Sequence, residues 1–285
     1  MRTKSLIAGL LLVLLATPVW VCGEDWQGVV ENMQNGQVNW STGVVQATGI
    51  GAPPEQYLGK PQARPMALRA AKLDAYRNLL EVTQGVRVNS TTLVKNYAVE
   101  NDVIMTRVEG LVKGAQLADT EYMSDGTVEV TLRMSLTGDL AQVVLPPDTG
   151  EKMPSRPMPD DWTQQQPDES ADGVYTGLVV DAGGLNAKPA MAPKILDEDG
   201  KEVYGSAFVS REYAIEQGMS GYAKQVAAAR SNSRVTDNPL TVKGLKTSGP
   251  GKCDVVISNA DASKVRNASE DLSFLKKCRV MIVVD

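Results

Sequence analysis

Apolar residues recur with helical spacing in two stretches of the first half of the chain. The first begins near Pro65 and stops before Gly85, and it predicts an amphipathic helix that lies on a core. The residues expected on its buried face are Met66, Ala70, Leu73 and Leu80. The second begins at Asn101 or Asp102, which can cap a helix, and its apolar positions are Ile104, Val108, Leu111 and Val112.

Directly after the second predicted helix, apolar and polar residues alternate strictly. Residues 115–122 and 127–136 predict two strands of a hairpin, and Asp125-Gly126 supplies the turn between them. One face of that hairpin should be buried and the other wet. Residues 37–50 predict one long strand or a bent pair, residues 86–93 another strand, and residues 24–36 a short helix or a loose arm.

The pattern is interrupted over residues 146–173, which are polar, rich in proline and without periodicity. This composition indicates a linker between a first domain over residues 24–145 and a second over residues 174–285. The second domain is predicted to contain a strand over 175–181, a hairpin over 194–204, a helix over 211–230 and a strand over 240–245. It should end in a parallel β-α-β unit formed by residues 253–258, 262–277 and 278–284.

The fold class expected from these patterns is α+β. An N-terminal sheet is packed by two helices and closed by a C-terminal hairpin, and a second, α/β domain follows the proline-rich linker.

The first 23 residues have the pattern of a secretory signal peptide. Arg2 and Lys4 precede an uncharged apolar run, and small residues follow before Glu24. Cleavage after Gly23 would discard Cys22, whereas the alternative, attachment of lipid to Cys22, would anchor the protein to a membrane. The protein is therefore expected to be periplasmic or associated with the outer membrane.

Composition excludes several kinds of activity. The chain has a formal net charge of −5, and removal of residues 1–23 would make it more acidic, which disfavours binding to nucleic acid. It contains no histidine, so catalytic triads built on histidine and histidine metal sites are excluded. No pattern in the sequence predicts a cofactor.

Two cysteines remain after signal cleavage, and we expect them to pair. Cys253 and Cys278 precede the two strands of the predicted parallel unit, so both should lie at the same end of the sheet. An oxidising compartment favours a disulfide between them; the alternative is a pair of buried, reduced thiols.

Two short motifs have weak functional interpretations. Thr48-Gly49-Ile50-Gly51 has glycines of the kind that cradle phosphates, but Pro53 and Pro54 follow where a helix would have to begin. The acidic run over residues 197–200 lacks the spaced ligands of a calcium loop and predicts an ordinary β-turn.

An ordered set of segments in the first domain resembles a known family. The segments are AAKLDAYRNL (70–79), GVRV (85–88), DVIMTRVEG (102–110) and DGTVEV (125–130). Together they resemble the bacterial outer-membrane lipoprotein family typified by the twenty-kilodalton Helicobacter lipoprotein and by flagellar assembly protein P. The resemblance implies a small α+β domain at the cell envelope, with some members building rings or discs around the flagellar motor, and it implies no catalytic residues.

These observations together predict a non-enzymatic envelope protein that associates with itself and with other envelope proteins, near the outer membrane and in the flagellar apparatus. The residues expected to form its charged interaction face are Arg69, Lys72, Arg77 and Arg107. The alternative hypothesis is a periplasmic module that binds a small ligand near the carboxyl ends of the strands over 255–257 and 280–282.

Overall fold

The computed structural model describes residues 28–96, 101–145, 175–270 and 274–285. It has a mixed α+β architecture, with an antiparallel sheet and helices in the first domain and a mixed sheet in the second. The predicted signal peptide with Cys22 and the predicted linker over 146–173 lie outside the described residues. Among the helices of the described part, none combines the length and the apolar character needed to span a membrane.

The first sheet is antiparallel, with five strands in the order β1-β2-β3-β5-β4. Its strands are β1 (Val30–Met33), β2 (Gly36–Asn39), β3 (Val44–Gly51), β4 (Gln116–Tyr122) and β5 (Val128–Ser135). The expected helix or loose arm over 24–36 is wrong, because residues 30–33 pair with β2. Residues 37–50 form the bent pair, which turns at Gly43 with a φ of 67°.

The helices described beside this sheet include α1 (Ala63–Gln84), α2 (Asp102–Lys113) and α3 (Asp139–Val144). The predicted length of α1 is confirmed, but its buried face is not the predicted one, since Leu73 is 61% exposed. The buried positions are instead Ala67, Ala71, Ala75, Leu79, Val82 and Thr83. A stripe of small residues therefore faces the sheet.

Two glycines of β3 explain that choice of face. A Cβ atom added to Gly49 would lie 2.0 Å from the backbone nitrogen of Ala75, and one added to Gly51 would lie 2.3 Å from the carbonyl oxygen of Ala67. Helix and strand thus approach so closely that only glycine fits on the strand and small residues on the helix. The glycines predicted as a weak phosphate motif serve this packing.

The predictions for α2 and for the β4–β5 hairpin are confirmed. The Asn101 side chain accepts a hydrogen bond of 2.9 Å from the backbone N–H of Val103, as an N-cap should. The hairpin turns at Gly126, whose φ is 89° and whose N–H donates to the Met123 carbonyl.

The strand predicted over residues 86–93 is not part of either sheet. Its only ladder contact in the described chain is an isolated bridge between Arg87 and Leu93. The carbonyls of Arg87 and Val88 accept hydrogen bonds from Met191 and Ala192 of the second domain, at 3.0 and 2.7 Å. The segment therefore bonds to a distant part of the chain, which local patterning cannot reveal.

The second sheet has seven strands in the order β8-β7-β11-β10-β6-β12-β9. Its strands are β6 (Gly177–Asp181), β7 (Ile195–Leu196), β8 (Glu202–Tyr204), β9 (Gly221–Ala223), β10 (Pro239–Ser248), β11 (Asp254–Ile257) and β12 (Val280–Val283). Strands β10, β6, β12 and β9 are mutually parallel, whereas β11 is antiparallel to β10. The helices of this domain are α4 (Arg211–Gln217), α5 (Val226–Arg230) and α6 (Asn259–Glu270).

The single helix predicted over residues 211–230 is wrong. The chain forms α4, then the edge strand β9, then α5. Gly218, with a φ of 80°, ends α4, and Gly221 begins β9 against Met281. Met219 and Tyr222 are buried as predicted, but Met219 lies in a loop and Tyr222 in a strand. Over so short a range, apolar residues spaced three and four apart do not distinguish a helix from a loop followed by a strand.

The strand–helix–strand order at the end of the chain is confirmed, but the parallel arrangement of its strands is wrong. Strands β10 and β6 separate β11 from β12, and β11 runs in the opposite direction to β12. Strand β11 instead pairs with its predecessor β10 in an antiparallel manner. The rule for crossover connections applies only when the two strands are parallel in one sheet, and here they are not.

Candidate functional site

The two domains meet along a junction that contains both backbone and side-chain hydrogen bonds. Besides the two backbone bonds from Met191 and Ala192, the Arg87 side chain donates from Nε to the Pro189 carbonyl at 2.9 Å and pairs with Glu31. Buried apolar residues of both domains form one continuous cluster. The junction is therefore packed like an interior.

A cleft of about 340 Å³ opens at this junction. One wall comes from the β2–β3 turn and the residues around α3; the other comes from residues 190–191, the α4–β9 segment, residues 232–234 and β12. Its principal lining residues are Trp40, Thr137, Gln217, Ser220, Arg234 and Met281. This volume lies at the lower end of the range for small-molecule sites, and junctions between domains are a common place for such sites.

The wall from the first domain is positioned by Trp40 and Ser41. The Trp40 indole N–H donates to Glu31 at 3.1 Å, and its ring contacts Tyr222 edge to face, with centroids 5.9 Å apart. The Ser41 hydroxyl donates to the Tyr222 carbonyl at 2.8 Å and accepts from Val29 N–H at 2.9 Å. The indole and the hydroxyl are thus held in single orientations.

The opposite wall depends on Tyr222 and on glycine at position 221. The buried Tyr222 hydroxyl donates to the Ala190 carbonyl at 2.8 Å and accepts from the Ala190 N–H at 2.9 Å. Burial raises the pKa of Tyr222 well above its ordinary value, and the nearby Ser220 hydroxyl and Ala190 backbone oppose this only in part. A Cβ atom at Gly221 would lie 2.4 Å from the Met281 sulfur, so a larger residue at this position would displace the Met281 side chain.

Among the described residues that line the cleft, Arg234 is the only one with an ionic side chain. One of its terminal nitrogens, Nη1, donates to the carbonyls of Gly218 at 3.1 Å and Cys278 at 2.9 Å, and the other donates to the Gln217 carbonyl. These contacts join the end of α4 to the start of β12. Burial lowers the pKa of Arg234, although the group remains charged at neutral pH.

Ser220 contributes an unpaired polar atom. Its Oγ is buried and makes no hydrogen bond with the described part of the chain. The nearby hydroxyl of Tyr222 already makes two hydrogen bonds, both to Ala190. A buried hydroxyl without a partner is uncommon in native proteins, because losing water without replacement is unfavourable.

The residues predicted as an interaction face lie away from the cleft. Arg69, Lys72 and Arg77 are on α1 and Arg107 is on α2, and none of the four lines the cleft. Arg69, Arg77 and Arg107 are exposed, and Lys72 is half-buried. Arg77 lies 3.7 Å from Asp74 in an exposed ion pair, which contributes little to stability.

The predicted disulfide is not present: Cys253 and Cys278 are both free and buried. Cys253 precedes β11 and Cys278 precedes β12, and these strands run in opposite directions with two strands between them. The cysteines therefore lie at opposite ends of the strands and three strand positions apart, beyond the reach of a disulfide. The Cys253 thiol instead donates to the Gly251 carbonyl at 3.2 Å.

The same topology overturns the predicted ligand position. Because β11 and β12 run in opposite directions, their carboxyl ends lie at opposite ends of the sheet's strands and do not form a common crevice. The cleft lies instead near the amino ends of β9 and β12, at Gly221 and Met281.

The acidic run over residues 197–200 is a β-turn, as predicted. Gly200 donates to the Asp197 carbonyl at 3.0 Å and has a φ of 78°. Asp197 is buried and forms an ion pair with Arg266 at 2.7 Å. Burial by itself would raise the pKa of Asp197, but the hydrogen bonds from Arg266 and Lys201 outweigh burial and lower the pKa. Within the described residues no group of acidic or cysteine side chains is arranged to hold a metal ion.

None of the residues that define the cleft could be recognised from the sequence pattern. The pattern places Ser220 within a helix and Trp40 within a strand, and it assigns a site to neither. The available signal was the pair Gly218 and Gly221, which interrupts the predicted helix over 211–230. The position of Arg234 had no signal, since its partners are carbonyl groups.

Comparison with models of protein families finds a similarity in the second domain. Residues 177–285 match the model of a domain family described as the second domain of Treponema pallidum Tp0624. No curated protein matches the chain. The similarity thus covers the domain that supplies Ser220 and Arg234, and the resemblance of the first domain to outer-membrane lipoproteins stays a prediction.

Proposed function

We propose that this protein is an exported, non-enzymatic component of the bacterial cell envelope that self-associates through the open edge of its first sheet. The observation that carries the proposal is strand β4. It ends the first sheet, and six of its seven residues are exposed. An unpaired edge of this length leaves a row of exposed backbone groups and side chains that another copy can cover.

Exposed apolar side chains accompany this edge. Leu117 is 51% and Tyr122 is 50% exposed, and Met123 follows in the turn at 41%. Natural sheets usually protect such edges with charged residues, proline, a bulge or a covering helix. Strand β4 has no lysine or proline, and its protection is limited to Asp119, Glu121 and a shift in its pairing with β5 between Leu117 and Asp119. We take the edge to be covered in the assembled protein.

Charge complementarity favours a second copy of the chain as the partner. The edge is acidic, with exposed Asp119 and Glu121, and Asp125 lies in the turn. The outer face of α1 is basic, with exposed Arg69 and Arg77, whereas Arg64 at the start of the helix lies 5.3 Å from the centre of the Tyr122 ring in the same copy. We call these surfaces the acidic edge and the basic face.

A head-to-tail contact joins the acidic edge of one copy to the basic face of the next. Because the two surfaces differ, such contacts build rings or filaments rather than simple dimers. Electrostatic attraction would also accelerate the association.

The location in the envelope rests on the sequence. The signal peptide pattern over residues 1–23 supports export, and the resemblance of the first domain supports a place near the outer membrane, in assemblies such as that of the flagellum. The partners proposed are further copies of this chain, other envelope proteins and, at the periphery, the outer membrane itself.

The test is the oligomeric state of the mature chain. We expect wild-type protein to form assemblies in sedimentation velocity experiments at up to about 100 µM, well above a micromolar dissociation constant. Leu117→Lys should shift the protein to monomer, because it places a positive charge on the edge that meets the basic face of the next copy.

Leu245→Lys is the matched control, since Leu245 is 48% exposed and lies in the second sheet. That variant should assemble like wild type. A wild-type protein that stays monomeric at every concentration, or equal behaviour of the two lysine variants, would contradict the proposal.

A further inference from the structure

The charge of the junction cleft is uncompensated. Among its described lining residues Arg234 is ionic and no acidic side chain is present. In the described part of the chain no carboxylate forms an ion pair with Arg234. A charge withdrawn from water without a counter-charge is unfavourable, and an anion in the cleft would offset that effect.

Arg234 retains capacity for a ligand. A guanidinium group has five N–H donors, and three of them are directed to the carbonyls of Gln217, Gly218 and Cys278. Those carbonyls orient the group without neutralising it. The positive charge therefore acts on the cleft from a fixed position.

Ser220 offers a second polar contact on the same wall. Its buried Oγ lacks a hydrogen-bond partner in the described residues, and Ser220 is one of the residues that line the cleft. A hydroxyl can donate to an anionic oxygen, which satisfies both groups. The unpaired atom and the uncompensated charge, two independent observations, indicate the same kind of ligand.

The rest of the lining mixes polar and apolar side chains. Its apolar part includes the buried residues Trp40, Tyr222, Met191 and Met281, whose edges can contact an apolar body. The cleft of about 340 Å³ corresponds to about eleven water volumes, enough for a molecule of about ten non-hydrogen atoms. A bare inorganic anion would leave most of this volume filled with water.

We infer that the junction cleft binds a small carboxylate with an apolar or aromatic body, with Arg234 supplying the compensating charge and Ser220 a hydrogen bond. The site belongs to neither domain alone, since Trp40 and Thr137 come from the first domain and Ser220 and Arg234 from the second. It is separate from the acidic edge and the basic face and goes beyond the proposed function.

Benzoate is the first probe, and its neutral analogue benzamide is the matched ligand. Binding is measured by calorimetric titration of the mature protein and by the indole N–H resonance of Trp40. We expect benzoate to bind, benzamide to bind at least about tenfold more weakly, and acetate and inorganic phosphate to bind more weakly than benzoate. Absence of benzoate binding at millimolar concentration, equal binding of benzamide, or a preference for phosphate would overturn the inference.

Two variants locate the site without removing Arg234, whose structural hydrogen bonds make its replacement hazardous for folding. Ser220→Ala should weaken benzoate binding by about tenfold through loss of one hydrogen bond to a charged group. Thr137→Phe should abolish binding by filling the cleft. Ser231→Ala, an exposed serine at the end of α5, is the control and should bind as wild type.

Leu117→Lys should also bind benzoate normally, which separates failure of this inference from failure of the proposed self-association. Unchanged binding in both Ser220→Ala and Thr137→Phe would place the ligand elsewhere and overturn the assignment.

Discussion

At the scale of single residues, the two cysteines show how strongly surroundings determine chemistry. Burial raises the pKa of Cys253 to about 11, and it does the same for Cys278 although Tyr204 and Arg234 partly oppose it. Both groups are therefore protonated, poorly nucleophilic thiols at neutral pH.

These thiols make stability depend on pH in alkaline solution. Below about pH 8.5 the folded and unfolded chains both hold the thiol protons, so stability is unaffected there. Between that pH and about 11 the unfolded chain loses protons that the folded chain keeps, which favours unfolding. We expect the free energy of unfolding to fall by up to about 1.4 kcal/mol per pH unit for each thiol.

Denaturant titration under reducing conditions from pH 7 to 10 measures this dependence. The double variant Cys253→Ala, Cys278→Ala should have a flatter profile between pH 9 and 10, whatever its stability at pH 7. An equal slope in variant and wild type would show that other groups carry the effect.

Residue chemistry also limited what the sequence could predict about the candidate site. The cleft is defined by Ser220, which lacks a partner in the described part of the chain, and by Arg234, which bonds to carbonyls. Neither belongs to a motif, because the backbone carbonyls that hold Arg234 are available in every sequence. Only the fold brings these residues near Trp40.

At the scale of elements, the packing of α1 on β3 depends on the absence of side chains. Gly49 and Gly51 leave no space for a Cβ atom against the helix backbone, so helix and strand lie unusually close. Asp74 and Asn78 of α1 then reach the β3 backbone, at Ile50 N–H and the Thr48 carbonyl.

Gly49→Ala should be strongly destabilising, by about 2–4 kcal/mol, since the helix must move away from the strand. Gly110→Ala is the opposite case, because Gly110 is exposed within α2. No described atom outside its own helix turn lies within 4 Å of the position that a Cβ atom would take. This change should therefore stabilise the protein by about 0.5–1 kcal/mol. Chemical denaturation measures both. Similar effects of the two changes would contradict the packing argument.

The predictability of elements follows the range of the interactions that form them. The β4–β5 hairpin and α2 were predicted closely because their turn, cap and periodicity are local. The buried face of α1 was rotated from the prediction because glycines on another element choose it. Residues 86–93 and 211–230 were assigned wrongly because distant segments determine their conformation.

At the scale of the whole molecule, a buried serine and aspartate connect the domains. Ser90 of the first domain donates its hydroxyl proton to Asp254 of the second, and both residues are buried. The Ser90 carbonyl accepts from Gly251 N–H at 2.7 Å, and Asp254 also accepts from Lys194 N–H at 3.0 Å. The contact is dense, since a Cβ atom at Gly249 would lie 2.5 Å from that of Ser90.

We expect the two domains to unfold in one calorimetric transition because their apolar cores are continuous. Ser90→Ala should lower the free energy of unfolding by about 1–3 kcal/mol, since it removes a donor from a buried carboxylate. Ser263→Ala is the control, because the exposed Ser263 hydroxyl bonds only within α6. Two separate transitions in the wild type, or equal effects of the two serine changes, would contradict the coupling.

The strand order of the second sheet constrains the sequence of events by which this protein reaches its folded state. Strand β6 opens the second domain, yet its two neighbours, β10 and β12, come from much later in the chain. The first sheet is complete once residue 135 is available, whereas β6 gains its first neighbour with residues 239–248 and its second only with residues 280–283. During synthesis, the strands of the first sheet can therefore pair while β6 remains without partners. Loss of the final strand, β12, would remove an interior strand of the sheet. It would also leave β9, which lines the cleft, without the strand it pairs with.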